Sequence, residues 1–122
     1  MDKKEEEKYR IAAASSDGIV VNQHFGRAET FYIYEASSRE EPRYLEKREV
    51  EPLCQGGNHQ EAKLTESVEH LKDCQYVLVS RIGPGAVAAL EQKGITPMEL
   101  PGMIEESIHR LITYIEIQNL TM

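Results

Sequence analysis

The sequence predicts an α/β fold: a mixed five-stranded sheet, made of a three-strand antiparallel meander and two parallel strands, flanked by helices. Three observations predict it. Ile11–Ala14 and Tyr76–Val79 are short, unbroken apolar runs, the mark of strands buried on both faces. Phe31 and Ile33 alternate with Tyr32 and Tyr34 at the two-residue period of a strand. Leu64, Val68 and Leu71, and again Ile104, Ile108, Leu111, Ile112 and Ile115, recur at helical spacing and give each helix one apolar stripe.

In chain order, residues 1–8 are charged and have nothing to bury; they read as a disordered segment or linker. One domain is expected over residues 9–117, and a frayed tail over 118–122. Tyr9 to Ala14 forms the central strand. Ser15 to Glu29 is a polar, glycine-punctuated loop with a turn signal at Asp17-Gly18. Thr30 to Ala36 is the second strand, with Phe31 and Ile33 on a core face and Tyr32 and Tyr34 on a tyrosine face. Tyr44 to Val50 is the third, charged enough to sit at the sheet edge.

Asn58, with Glu61 three residues on, caps a helix that ends at Asp73-Cys74. The buried run 76–79 follows as the fourth strand. Ser80 to Gly85 is a third loop, before a short helix over Ala86 to Lys93 that Gly94 stops. Ile95 to Leu100 is the last strand, and Pro101-Gly102 opens the final helix.

The bulk numbers exclude several function classes. The chain has 122 residues, 40% of them hydrophobic, enough for one domain with a real core. No apolar run approaches the ~20 residues of a membrane span, and the start shows no signal-peptide pattern, so a cytoplasmic location is expected. The net charge is −7 and the sequence pI about 5.1. No basic stripe is present, so nucleic acid is not the expected partner. The two cysteines, Cys54 and Cys74, flank a helix of about 14 residues, roughly 21 Å long, too far apart for a bridge that needs Cα atoms within about 7 Å. Two free thiols are expected.

If the fourth strand lies beside the first and parallel to it, the first, third and fourth strands end on one edge of the sheet. The loops leaving them are 15–29, 51–58 and 80–85. Ligands bind at such edges in open α/β sheets. Two of these loops are rich in glycine and run into helix N-termini, which favour anions. Arg27 and Arg81 add positive charge, Cys54 a soft ligand, and His24 and His59 imidazoles. That set suits an anionic metal–sulfur species better than a sugar or a peptide. Each piece also has a plainer reading. A lone cysteine in a glycine loop is more often without function, His59 is simply solvated off its stripe, and Gly83-Pro84-Gly85 is only a tight turn. His70 and His109 read as solvated. The convergence of three loops is what favours a site.

The stretches Ile11-Ala-Ala-Ala-Ser-Ser-Asp-Gly18, Val21-Asn-Gln-His-Phe-Gly-Arg-Ala-Glu29, Cys54-Gln-Gly-Gly-Asn-His59 and Val79-Ser-Arg-Ile-Gly-Pro-Gly85 occur in this order over nearly the whole chain. Together they resemble the dinitrogenase iron–molybdenum cofactor biosynthesis family, which includes NifX-type proteins and the C-terminal domain of NifB. The resemblance implies a ribonuclease-H-like motif. It also implies binding or carriage of an iron–sulfur cluster or iron–molybdenum cofactor precursor, held transiently, in nitrogen fixation.

Carried over by position, His24 and Cys54 are the candidate cluster ligands, with His59 third. Arg27, Gly56, Gly57, Arg81, Gly83 and Gly85 are supporting contacts. The implied partners are nitrogenase cofactor assembly proteins, and the expected state is a monomer or weak homodimer. NifB proper carries a radical-SAM Cys-x-x-x-Cys-x-x-Cys motif that this chain lacks, so no catalysis of its own is expected. The chain reads as a stand-alone carrier or the non-catalytic C-terminal domain of a larger enzyme.

Three rival readings differ in chemistry. A two-metal nuclease needs carboxylates on the central strand, which is Ile-Ala-Ala-Ala here. A Cys54–His24 hydrolase lacks a third group to orient the histidine. A regulatory or protein-interaction module would bind no metal and would be indifferent to substitution of His24 or Cys54.

Overall fold

The computed structural model describes residues 7–50 and 59–120, with side chains in the first helix described from Leu64 onward. The first strand, β1 (Tyr9–Ala14), occupies the centre because its side chains are small and apolar on both faces. Ala12 and Ala14 face one helical layer; Ile11 and Ala13 face the other. Alanine at these positions lets helices approach the sheet closely from both sides.

On one flank β1 pairs antiparallel with β3 (Thr30–Ala36), which pairs antiparallel with β4 (Arg43–Glu49). On the other it pairs parallel with β5 (Tyr76–Val79), which pairs parallel with β6 (Thr96–Glu99). The sheet order is β4-β3-β1-β5-β6. This is the predicted mixed five-stranded α/β sheet, and it is consistent with a ribonuclease-H-like arrangement. The charged β4 is an edge strand, as its composition requires.

Helices α1 (His59–His70) and α2 (Pro84–Gln92) cover one face, where Phe31, Ile33, Val68, Leu71, Val77 and Leu90 meet. Helix α3 (Ile104–Leu120) covers the other through Ile104, Ile108, Leu111 and Ile115. The tyrosine face of β3 therefore lies partly under α3. Tyr34 is only 9% exposed. The tyrosine ring packs in the core cluster that α3 covers.

Several boundaries differ from the sequence reading. Val20–Val21 is a short strand, β2, that pairs antiparallel with β7 (Gly102–Met103). Gly102 thus completes a ribbon, and α3 begins at Ile104, whose N–H donates to the Ile19 carbonyl at 2.8 Å. Backbone groups inside a long loop need partners, and these residues supply them. Pro84 is the first residue of α2 rather than part of a loop, since its fixed φ suits that position and it has no N–H to leave unpaired. Lys93 caps the helix and Gly94, at φ +79°, reverses the chain. Helix α3 continues to Leu120, into the segment expected to fray. The expected cap at Asn58 lies outside the described residues.

Below the sheet, Asp73 ties three elements together. Arg48 of β4 donates to both its carboxylate oxygens, at 2.8 and 2.9 Å, and to the His70 carbonyl; Arg10 of β1 adds a bond of 3.0 Å. The Arg48 hydrogen bonds, with help from Arg10, hold the Asp73 carboxyl well below the usual carboxylate range against the opposing effect of partial burial. A carboxyl with a depressed folded pKa adds stability that is complete above its unfolded value, about 3.9, and is lost as the pH falls toward the folded value. Asp73→Asn is expected to lower stability at neutral pH by about 1 kcal/mol, the scale of a partly solvated ion pair. It should also flatten the loss of stability below about pH 4. Urea midpoints of both proteins across the acid range check this.

Candidate functional site

The strands β1, β4 and β5 run in the same direction, so their C-terminal ends lie on one edge of the sheet. The loop after β1 is rigid because its own side chains satisfy its backbone. Ser15 is fully buried, and its hydroxyl accepts the Gly18 N–H at 2.9 Å and the Asp17 N–H at 3.2 Å. Asp17 Oδ1 accepts the Ile19 and Val20 N–H groups at 2.9 and 3.1 Å. Those two backbone bonds, Ile19 first, lower the Asp17 pKa, so the turn is held by an ionised carboxylate. Asn22 Oδ1 accepts the Ser16 N–H at 3.0 Å, closing the base of the loop.

Beyond this turn the chain docks on β5. The Ser80 N–H donates to the Gln23 carbonyl at 3.0 Å, and the Phe25 N–H to the Arg81 carbonyl at 2.9 Å. His24 and Arg81 form a parallel bridge between them. Phe25 is buried against Phe31, ring centroids 5.9 Å apart, and opens a single 3-10 turn through Arg27. This anchor leaves His24 and Arg27 exposed on the edge beside exposed Arg81. Among the described residues neither arginine makes an ion pair.

The helix α2 starts at the same place. Its N-cap, Gly83, offers no side-chain cap, and among the described residues no side chain is seen to accept a first-turn N–H. A side chain at Gly26, Gly83 or Gly85 would meet nothing within 4 Å, and none of the three has positive φ. The fold does not require glycine at these positions. Glycine there keeps the backbone bare on the side that faces solvent.

Val50, at the end of β4, lies at this edge as well, its N–H donating to the Glu29 carbonyl at 2.8 Å. Cys54, Gly56 and Gly57 lie outside the described residues, and His59 is placed only by its backbone, as the first residue of α1. The structure therefore brings together His24, Arg27, Arg81, Gly83 and Gly85. Among the described side chains no three metal-ligating groups cluster.

His70 and His109 are exposed and engage the Glu66 carbonyl region at 2.9 Å and Glu41 at 3.3 Å. Cys74 is a free thiol buried in the core, and burial pushes its pKa up to about 12. Asn22, inside one of the family-like stretches, closes the first loop. Glu99, at the end of β6, carries no sequence signal that would single it out, yet it accepts the Ile82 N–H at 3.0 Å.

The sequence profile described as "dinitrogenase iron-molybdenum cofactor" matches residues 7–114, nearly the whole chain. The chain belongs to this family. It is 40% identical over 101 residues to the FeMo cofactor biosynthesis protein NifB of Frankia alni. It is 39% identical over 103 residues to that of Azotobacter vinelandii. Each match covers 80% of this chain and 20% of the relative. The chain thus spans about a fifth of the length of these curated relatives, which the family ties to nitrogen fixation and FeMo cofactor biosynthesis.

Two solved structures share the fold. The crystal structure of PH0822 superposes with a TM-score of 0.65 at 23% identity, covering 85% of this chain and 90% of that one. The NMR structure of a putative NifB protein from Thermotoga gives a TM-score of 0.52 at 24% identity, covering 84% and 86%. Among the described residues no helix is long and apolar enough to cross a membrane.

Two outcomes follow from the family member's local geometry. Gly18 has φ +79°, and an added Cβ would stand 2.9 Å from Tyr32 Cε2. Gly18→Ala is expected to cost about 1–3 kcal/mol, measured by thermal or urea unfolding. Cys74, buried and with a raised pKa, is expected to resist alkylation at about pH 8. In a Cys54→Ala background, mass spectrometry should find no adduct until the protein is unfolded.

Proposed function

We propose that residues 9–117 bind and carry an anionic iron–sulfur cargo, a precursor of the iron–molybdenum cofactor, on the sheet edge at His24 and Arg81, without catalysis of their own. The observation that carries this reading is the joining of two family-like loops, through the His24–Arg81 bridge, around glycines that the fold does not need. Family membership supports this class of cargo.

Each residue has a role that follows from its chemistry. The His24 imidazole and the Cys54 thiolate are the candidate ligands, soft and borderline donors suited to iron and sulfide clusters. His59 is the third candidate. Arg27 and Arg81 and the uncapped N-terminus of α2 favour negative charge. Gly56, Gly57, Gly83 and Gly85 let a bulky inorganic cargo approach the backbone. A chain with two cysteines cannot supply a four-thiolate site by itself, which fits cargo held transiently and passed on. The partners are nitrogenase cofactor assembly proteins in the cytoplasm.

The test is anaerobic titration of the apo-protein with the cofactor precursor, read by optical absorption and by iron co-eluting on gel filtration. Wild type is expected to retain iron, and His24→Ala and Cys54→Ala to bind on the order of tenfold more weakly or worse. Gly85→Ala adds a second readout: it should gain up to about 1 kcal/mol of stability from helix propensity yet bind less tightly. Folded wild type that retains no iron would overturn the reading and favour a metal-free interaction module.

A further inference from the structure

The edge that should attract an anion also carries a carboxylate. Glu99 is the last residue of β6, exposed, and its Oε2 accepts the Ile82 N–H at 3.0 Å across 17 residues of sequence. On electrostatic grounds alone a carboxylate beside an anion site is misplaced. Its geometry gives it another task.

The segment Ser80–Gly83 is held from two sides. On the inner side, Ser80 and Arg81 exchange backbone bonds with Gln23 and Phe25 of the first loop. On the outer side, the described contact is the bond from Ile82 to Glu99, because Gly83 provides no side-chain cap for α2. The half-buried Ile82 side chain packs on the core beneath. The turn that presents Arg81 is thus pinned at Ser80 and Arg81 by one strand's loop and at Ile82 by the next strand's carboxylate.

From this juxtaposition we propose that Glu99 is a positioning residue of the cargo edge: by clamping the Ile82 amide it holds the Arg81 turn and the start of α2 against the His24 loop. The inference rests on the proposed function for its consequence in binding, but the clamp itself is a property of the cargo-free protein and is tested there first. A carboxylate-to-amide hydrogen bond protects an amide from exchange until it opens. Glu99→Gln keeps an acceptor oxygen at the same reach, whereas Glu99→Ala removes it.

The experiment is amide hydrogen exchange by NMR on the apo-proteins, followed by the anaerobic precursor titration. Glu99→Ala is expected to speed exchange at Ile82 by about tenfold while the β1 amides stay protected, and Glu99→Gln to restore most of the protection. In titration the alanine variant should bind the precursor roughly several-fold more weakly, and the glutamine variant should recover binding. Unchanged Ile82 exchange in Glu99→Ala overturns the clamp. So does altered exchange at Ile82 with binding equal to wild type, since the clamp would then not position the edge. Wild type that binds no precursor fails the carrier reading alone and leaves the exchange result standing on its own.

Discussion

The parallel pairing of β1 with β5 is the constraint from which the rest follows. Ile11, Ala12 and Ala13 align with Tyr76, Val77 and Leu78. Once these strands run together, the loops that leave them must emerge side by side. The pairing continues past the regular strands, through Ser80 to Gln23 and Phe25 to Arg81, so the ladder extends into the loops. An edge built this way is rigid at the backbone while its side chains remain in water. The alanines of β1 make it possible, because a strand covered on both faces leaves little room for large side chains.

Much of this is legible in the sequence. The runs at 9–14 and 76–79 and the alternation at 30–36 carry enough period to fix type and extent, and the short link between β3 and β4 makes those two strands antiparallel neighbours. From there the common edge is a matter of direction. What is not legible depends on contacts distant in sequence. Val20–Val21 and Gly102–Met103 are too short for a pattern and become strands only because each supplies the other's partner. Alternation in β3 places the tyrosines on a second face but does not tell that α3 lies over them. Pro84 reads equally as turn or helix start. Glu99 looks like any acidic residue at the end of an edge strand until Ile82 is seen opposite. For the site, His24 with Phe25 behind it follows from local sequence, while its register with Arg81 follows only from the sheet.

The charge pattern sets local against global electrostatics. A chain with net charge −7 repels anions at long range. At the edge, exposed arginines and uncapped helix amides act within a few ångströms, where screening is least effective. Such a surface favours close, specific contact and gives little non-specific attraction, a useful property where several anionic species compete.

The ribbon of β2 with β7 ties the first loop to the start of α3, joining residue 19 to residue 104 through one backbone bond. Contacts so far apart in sequence form late, after much of the loop-closure entropy has been met. On a growing chain, the loop bearing His24 lacks its last support until the residues of β7 and the first turn of α3 have been made. The site is thereby finished by nearly the last part of the domain to be synthesised. A half-made chain presents the right residues without the framework that orders them, so assembly of the edge is linked to completion of the fold.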